Sequence, residues 1–220
     1  MRKYKCIIFD VGYTLIDHND EKETKMLSEI LKIPYCEEFV KEVGNFWQNA
    51  SKYTNNTVIT VDNYLKIIDK NFPYLKKNNI TPTKFLDALC KKQEVGKYDE
   101  VDYILNYLHK SYELDAITDW FTNDQKRELI DMNIIDFFDN VYGWDNDYAK
   151  PNPSRLIKNI LNRYDKSEVL IVGNSLEADI LCGINAGIDT VWCNRTKIHN
   201  KTNIKPTHEI SNLKELKKII

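Results

Sequence analysis

Glycine, proline and long apolar runs are all scarce in this sequence. Its 220 residues include 7 glycines and 6 prolines, and 42% are hydrophobic while 29% are charged. These proportions are typical of a globular protein, so they exclude a collagen-like chain and do not indicate disorder or a coiled coil. No apolar stretch approaches the length of a membrane-spanning helix, and Met1 leads directly into an apolar run without a signal-like segment. A cytoplasmic protein without a membrane partner is expected, with enough chain for one sizeable domain or a core plus a smaller domain.

An excess of charge of either sign is also lacking. The chain has 33 acidic and 31 basic residues, giving a net charge of -2. This balance argues against a broad nucleic-acid surface, although it leaves a local anion pocket open, and it favours a small-molecule partner. The five cysteines are dispersed without a C-x-x-C pair, which fits neither a disulfide framework nor a thiolate zinc site, so we expect reduced core residues. The four histidines show no metal-ligand spacing and are expected at the surface or in structural roles.

The segment 5–15 carries the first chemical signal. Its apolar run from Cys6 to Phe9 is typical of a strand buried on both faces, and Asp10 closes that run. Gly12 allows a tight turn and Thr14 adds a hydroxyl group. In open α/β sheets, ligands bind at the carboxyl ends of the strands, so Asp10 is a candidate site residue. From these residues alone, a simple turn cap is an equally good interpretation of Asp10.

The next eighty residues show helical periodicity. Apolar residues recur at helical spacing in four stripes, separated by loops rich in Asn, Thr and Pro. The stripes are Met26, Leu27, Ile30 and Leu31; Phe39, Val43, Phe46 and Trp47; Tyr64, Leu65, Ile67 and Ile68; and Phe85, Leu86, Leu89 and Cys90. The pattern predicts an inserted helical domain over residues 17–97.

From about Tyr98 the pattern changes to helices alternating with short β-rich runs, which is typical of βαβ units around a parallel sheet. We expect a core domain made of residues 1–16 and 98–220. The predicted strands are 114–118, 141–144, 169–172 and 190–193; the predicted helices are 101–108, 125–132, 154–164 with Pro153 opening it, 176–183, and a last one from Asn212. The predicted fold class is α/β.

Polar residues follow several of these strands. They are Asp10 and Thr14, then Thr118-Asp119-Trp120, then Gly173-Asn-Ser-Leu-Glu-Ala-Asp179, with Lys150 ahead of a helix. In this order the set resembles the motifs of the haloacid dehalogenase superfamily, whose members are mostly magnesium-dependent phosphatases. The resemblance implies a Rossmann-like three-layer core with a helical cap inserted after the first motif. The segment 173–192 and the ending 206–216 are similar to the branch that contains bacterial pyrimidine 5'-nucleotidases.

The resemblance also implies a role for each residue. Asp10 would be the nucleophile that forms an aspartyl-phosphate, and Thr118 and Lys150 would hold the transferring phosphoryl group together with Asp119 and Thr14. Lys150 would also keep Asp10 ionised. Without the other motifs, Lys150 is equally consistent with a solvated surface lysine and Thr118 with an ordinary strand residue.

A magnesium ion is the implied cofactor. Its expected ligands are Asp10, the carbonyl of Gly12 and Asn174, with Asp179 as a direct or water-mediated support. Asn174 departs from the family pattern, which has Asp at that place; an amide is a neutral and weaker magnesium ligand. Asp179 is also consistent with an ordinary first-turn helix acid.

Gly12 is the larger departure. Phosphatases of this superfamily place a second Asp two residues after the nucleophile, where it serves as general acid and base. Asp17 and His18 are the nearest candidate replacements. The expected activity is hydrolysis of a small phosphorylated metabolite such as a nucleotide, slowed by the missing acid. The alternatives are a non-catalytic phosphate-binding protein, or a dehalogenase or phosphonatase that uses Asp10.

Two roles are open for Trp120 and for the aromatic residues of the predicted cap. Trp120 is expected to fill a packing gap, although it could also contact a substrate base. In the predicted cap, Phe46, Trp47, Tyr53, Tyr64 and Phe72 are expected either to line a pocket or to form the helical core. The oligomeric state is not indicated by any pattern.

Overall fold

The computed structural model describes residues 3–55, 57–91, 96–152 and 155–220, with the backbone alone for Leu156. The chain forms two compact units. The first comprises Met1–Asp17, Gly96–Trp144 and Lys150–Ile220, and the second comprises His18–Val95 and Asp145–Ala149. The units divide within two residues of the predicted boundaries at 16/17 and 97/98, whereas residues 145–149, which we assigned to the core, group with the helical unit.

The strands form two sheets. They are β1 (Cys6–Phe9), β2 (Val58–Ile59), β3 (Glu113–Ile117), β4 (Asn140–Tyr142), β5 (Asp147–Tyr148), β6 (Val169–Gly173), β7 (Asp189–Cys193) and β8 (His208–Ile210). The large sheet has the order β4-β3-β1-β6-β7-β8, and each of its neighbouring pairs is parallel. The predicted strands lie within this sheet, to within one or two residues at their ends, whereas β2, β5 and β8 were not predicted.

Helices make up most of the remaining regular structure. They are α1 (Asp20–Leu31), α2 (Glu37–Gln48), α3 (Ala50–Thr54), α4 (Val61–Asn71), α5 (Pro73–Lys77), α6 (Pro82–Lys91), α7 (Val101–Leu108), α8 (Thr122–Asp131), α9 (Arg155–Leu161) and α10 (Leu181–Ala186). The predicted helix 176–183 is a π-helix over Leu176–Ile180 that continues as α10, and the last helix is a 3-10 helix over Leu213–Lys218. The predicted start of α9 at Pro153 and Ser154 lies outside the described residues.

The large sheet is covered on both faces, as its apolar strands require. Alternate residues of β1 enter different clusters: Ile7 and Phe9 pack with α7, whereas Cys6 and Ile8 pack with α9 and α10. All four side chains are fully buried. Burial of each large apolar side chain contributes roughly 1.5–3 kcal/mol relative to exposure. The α/β fold class, with helices flanking a parallel sheet, is confirmed.

The helical unit has an aromatic core of its own. Phe46, Tyr64 and Phe72 are buried, and Phe72 stacks against Phe46 and Phe85 with ring centroids 5.3 and 4.7 Å apart. Trp47 instead is 38% exposed and lines a cavity of about 430 Å³ within this unit. Most of the predicted aromatic set therefore forms the core, and Trp47 lines a pocket.

Two further expectations have outcomes in the fold. The five cysteines form no disulfide bonds, and Cys6, Cys182 and Cys193 are buried as expected. Cys36 and Cys90 are only half-buried, and each lies near the end of a helix of the helical unit. Within the described ranges, no helix is long and apolar enough to cross a bilayer.

Candidate active site

Three adjacent strands bring the predicted residues to one edge of the large sheet. Phe9 is in register with Ala116 of β3 and with Val172 of β6. The residues that follow these strands, Asp10, Thr118 and Asn174, therefore leave the sheet side by side. The backbone N–H of Asp10 donates to the carbonyl of Val172 at 2.9 Å, which fixes the start of the first loop.

Asp10 lies at the centre of this edge and is 8% exposed. Its Oδ1 accepts a hydrogen bond from Lys150 Nζ at 2.6 Å, and its Oδ2 accepts one from Thr14 Oγ1 at 2.8 Å. Burial and the nearby charge of Asp179 raise the pKa of Asp10 to about 6, against the opposing effect of Lys150 and Thr14. At neutral pH the carboxylate is therefore ionised and held in one orientation.

Lys150 is the cation of the cluster and is not a solvated surface lysine. Its Nζ donates to Asp10 and to Asp179 Oδ1, both at 2.6 Å, and to the carbonyl of Ile117 at 3.5 Å. Its backbone N–H donates to Asp119 Oδ1 at 3.0 Å. Burial alone would lower the pKa of Lys150, but the surrounding carboxylates raise it well above its ordinary value, so the ammonium group stays charged.

Asp179 contacts Lys150 and the backbone. Its Oδ2 accepts a hydrogen bond from the N–H of Ser175 at 2.9 Å while Oδ1 faces Lys150. The side chain packs against the end of β6, where a Cβ on Gly173 would come within 2.4 Å of three Asp179 atoms. The glycine thus makes room for the acid. With both oxygens engaged, Asp179 has the geometry of a group that positions Lys150.

Asn174 faces the first loop. One terminal atom of its amide lies 3.2 Å from the carbonyl oxygen of Gly12, 3.2 Å from Asp10 Oδ2 and 3.4 Å from Thr14 Oγ1. Octahedral magnesium with ligands at 2.0–2.1 Å places neighbouring oxygens about 3.0 Å apart. The spacing and the oxygen-rich donor set of Asp10, Gly12 and Asn174 therefore fit a magnesium ion.

The first loop, which follows β1, contains one residue in a left-handed conformation, Tyr13, with φ at 56°. Gly12 forms an isolated backbone bridge with Ile16. That Gly12 allows a tight turn stays a prediction.

Thr118, Asp119 and Thr14 lie in the segments that follow β3 and β1. Thr118 is buried at the end of β3, and its N–H donates to the carbonyl of Tyr142 at 3.0 Å. Asp119 accepts from the Lys150 backbone, and the Thr14 hydroxyl donates to Asp10. In this structure the side chains of Asp119 and Thr14 orient Lys150 and Asp10.

Residues that the sequence did not single out hold this edge in place. Arg195 donates to the carbonyl of Thr14 at 2.7 Å and to Glu100 at 2.6 Å, and its guanidinium stacks on Tyr98. Trp192 Nε1 donates to the backbone carbonyl of Asn174 at 2.8 Å. An arginine two residues after a core strand, β7, is the local signal that could have identified Arg195.

Two other predicted candidates, Trp120 and His18, have contacts of their own. Trp120 packs against Phe121 and Trp144, with ring centroids 5.5 and 6.2 Å away, so the packing interpretation is confirmed. His18 belongs to the helical unit, where its Nδ1 lies 2.9 Å from Glu23 Oε1. His18 is therefore engaged in a contact within that unit.

Comparisons with known proteins identify relatives of this chain. The family model of haloacid dehalogenase-like hydrolases matches residues 7–193. The pyrimidine 5'-nucleotidase PynA of Streptococcus pneumoniae (strain ATCC BAA-255 / R6) is 25% identical, over 97% of this chain and 93% of its own length. The pyrimidine 5'-nucleotidase YjjG of Escherichia coli (strain K12) is 34% identical over 53% of each chain.

Solved structures show the same fold. The HAD-hydrolase YfnB of Bacillus subtilis, in a crystal structure bound to magnesium, superposes with a TM-score of 0.78 at 24% identity, covering 99% of both chains. A 2-haloacid dehalogenase from Pseudomonas syringae pv. Tomato DC3000 superposes with a TM-score of 0.64 at 19% identity, covering 98% and 97%. By its family match, this chain belongs to the haloacid dehalogenase-like hydrolases.

Proposed function

We propose that this protein is a magnesium-dependent phosphatase of small phosphorylated metabolites, with pyrimidine nucleoside monophosphates as the first substrates to test. The observation that carries the proposal is the Asp10 carboxylate, ionised at neutral pH and held between Lys150 and Thr14 beside an oxygen-rich cation site. The nucleotidase relatives support the substrate class, since they are 25% and 34% identical to this chain.

The chemistry follows from the orientation of Asp10. Oδ1 attacks the phosphorus of a monoester, an oxygen–phosphorus bond forms, and the ester bond breaks with its electron pair leaving on the alcohol oxygen. Water then attacks phosphorus, the bond to Asp10 Oδ1 breaks with its electron pair returning to the carboxylate, and the released phosphate loses a proton that solvent passes to the alkoxide. Lys150 keeps Asp10 ionised before the first step and stabilises the charge on the phosphoryl oxygens in both steps.

Magnesium, when bound by Asp10, the Gly12 carbonyl and Asn174, would neutralise charge on the phosphoryl group. The residues around these ligands do the positioning. Thr14 fixes Asp10, the carboxylates of Asp179 and Asp119 fix Lys150, and Arg195 fixes the loop that carries Thr14. These contacts hold the nucleophile in place before substrate binds.

Gly12 limits which substrates are turned over. It contributes a carbonyl group but no carboxyl group to protonate the leaving oxygen. Phosphate esters with good leaving groups, whose alcohols depart without a proton, should therefore react fastest. General acid–base catalysis is typically worth about 10²–10⁴-fold in rate.

The test is phosphate release from p-nitrophenyl phosphate and from a panel of nucleoside monophosphates, with Mg²⁺ and with EDTA. We expect release that requires Mg²⁺ and falls to background in Asp10→Asn. Release that persists in EDTA, or in Asp10→Asn, would overturn the proposal. Thermal stabilisation by the phosphates without turnover would indicate a non-catalytic binding protein instead.

A matched substitution tests the role of position 12. Gly12→Asp should raise turnover of alkyl phosphates by about 10²–10⁴-fold, and of p-nitrophenyl phosphate by much less, because only the alkyl leaving group needs a proton. Equal changes for both substrates would contradict the explanation.

A second candidate is hydrolysis of a carbon–halogen bond by Asp10. The absence of an acid at position 12 favours it, since a halide leaves as an anion without a proton. Halide release from 2-haloacids in EDTA, lost in Asp10→Asn, would support this candidate. Its failure together with phosphate release would leave the phosphatase alone.

A further inference from the structure

We propose that the amide of Asn174 is a two-position switch at the cation site. With its nitrogen turned inward it closes the site through hydrogen bonds, and with its oxygen turned inward it completes the site for magnesium. The inference rests on the proposed function in one respect, namely that Mg²⁺ binds beside Asp10. It makes metal binding conditional on rotation of a side chain that belongs to this chain.

The nitrogen-inward orientation suits the protein without metal. The inward atom is 3.2 Å from two acceptors, the Gly12 carbonyl and Asp10 Oδ2, so an NH₂ group there donates to both. The same orientation turns the amide oxygen towards donors on the other side. Both ends of the amide are then satisfied, and the gap between the Gly12 and Asp10 oxygens is bridged.

The oxygen-inward orientation suits the metal-bound protein. The Gly12 and Asp10 oxygens then lie 3.2 Å from the Asn174 oxygen, which is close to the edge of a magnesium octahedron, about 3.0 Å. Without a cation these oxygens repel one another, and the outward NH₂ group faces only donors. Magnesium must therefore offset the loss of the hydrogen bonds that hold the closed orientation.

The backbone around Asn174 stays fixed during the change. Trp192 Nε1 donates to its carbonyl at 2.8 Å, and the following residue, Ser175, donates its N–H to Asp179. Oxygen and nitrogen of an amide have nearly the same shape, so half a turn about the last side-chain bond exchanges them. The switch needs no rearrangement of the sheet edge.

Charge explains what an amide achieves at this position. The carboxyl groups of Asp10, Asp179 and Asp119 already surround the single ammonium group of Lys150 in this buried cluster. A carboxylate at position 174 would add a further negative charge beside Asp10, which raises metal affinity but destabilises the protein without metal. The amide keeps the metal-free protein stable at the cost of affinity.

The experiment compares the native chain with Asn174→Asp and with Asn162→Asp, a control at an exposed position on the surface. Mg²⁺ affinity is measured by calorimetry, and thermal unfolding is measured in EDTA. We expect Asn174→Asp to bind Mg²⁺ more tightly, on the order of tenfold or more, and to melt at a lower temperature in EDTA. The control should match the native chain in both.

Spectroscopy of the native protein tests the switch without a substitution. The ¹⁵N-labelled side-chain NH₂ of Asn174, assigned by its loss in Asn174→Asp, should be hydrogen-bonded in EDTA and shift on addition of Mg²⁺. If the NH₂ signal is unaffected by bound Mg²⁺, or if Asn174→Asp binds Mg²⁺ as the native chain does, the switch is wrong. If neither chain binds Mg²⁺, the proposed metal dependence itself fails.

Discussion

Two buried acidic clusters on the same sheet make a useful comparison. At the carboxyl ends of the strands, Asp10 and Asp179 share Lys150. On β3, Asp115 lies near Cys6 and Glu113, and their ligand atoms are within 4.8 Å of one another. Burial raises the pKa of both Asp10 and Asp115 to about 6. The two clusters differ in whether a buried cation is present.

Asp115 has weaker compensation than Asp10. Its Oδ1 accepts from the amide of Asn140 at 2.8 Å, but its Oδ2 is buried without a hydrogen-bond partner among the described residues. The nearby Glu113 is paired instead with Arg163. The two carboxyl groups have similarly raised pKa values, so the clusters differ in their contacts rather than in protonation. Lys150 contacts both Asp10 and Asp179, whereas the hydrogen bond to Asp115 comes from a neutral amide.

Removal of Lys150 should have the largest effect, because it makes the first cluster resemble the second. Lys150→Met leaves two carboxylates buried without their cation, and removal of one partner of a buried pair typically costs about 3–5 kcal/mol. We expect a loss of this size in the free energy of unfolding at pH 8 in EDTA, and a smaller loss at pH 5, where a carboxylate can be protonated. Urea denaturation at both values of pH measures it.

The control for this substitution is Lys158→Met, at an exposed position of α9. It should change the free energy of unfolding by a few tenths of a kcal/mol at most. If Lys150→Met were as stable as this control at pH 8, the buried ion cluster would not be the source of stability that the distances indicate.

Asp115 should show the next largest effect, through pH. Its pKa of about 6 in the folded protein exceeds the unfolded value of about 3.9, so the folded state binds the extra proton between these values. The contribution of Asp115 to the free energy of unfolding therefore falls as pH rises from about 4 to about 6, by about 3 kcal/mol in total, and stays lower above that range. Asp115→Asn keeps the acceptor for Asn140 and should lose this dependence.

The measurement is the free energy of unfolding from pH 4 to pH 7.5 for the native chain, Asp115→Asn and Asp136→Asn, which alters an exposed acid. The free energy of unfolding of Asp115→Asn should increase relative to that of the native chain as pH rises, and that of Asp136→Asn should follow the native curve. Parallel curves for all three would show that Asp115 is ionised in the folded state even at low pH.

Gly173→Ala should have the smallest effect of the three, since it perturbs the first cluster indirectly. The added Cβ would come within 2.4 Å of Asp179 and push this acid away from Lys150, at a cost of about 1–3 kcal/mol. Gly44 is the matched control, because a Cβ there meets nothing within 4 Å in α2. Gly44→Ala should instead stabilise the helix by about 0.5–1 kcal/mol. Thermal unfolding should show a lower melting temperature for Gly173→Ala and a higher one for Gly44→Ala.

Sequence patterns predicted the elements that burial dictates. The helix 101–108 has the predicted bounds, and the strand 169–172 differs by one residue, because both are strongly apolar and fully covered. The π-helix could not be predicted from local pattern. The turn at Leu176–Ile180 carries Asp179, and Asp179 contacts Lys150, which lies 29 residues away in sequence. Local pattern does not contain such pairings.

The candidate site also has features that the sequence predicts and features that it does not. The motif residues Asp10, Lys150 and Asp179 were predicted and lie within hydrogen-bonding distance of one another through Lys150. The orientation of the Asn174 amide and the role of Arg195 depend on neighbours more than 150 residues away in sequence. These features arise only when the sheet edge is assembled, so residue type and spacing could not reveal them.

The two-stranded sheet of the helical unit has a consequence for how such a unit can be exchanged. Val58 pairs with Tyr148 and Ile59 with Asp147, so the unit is built from two separate stretches of chain. Excision of residues 18–95 alone would leave β5 without its partner, directly before Lys150. A transplant between relatives must therefore carry residues 145–149 as well. Exchange of this unit therefore needs a second crossover around residues 145–149, outside the main insertion.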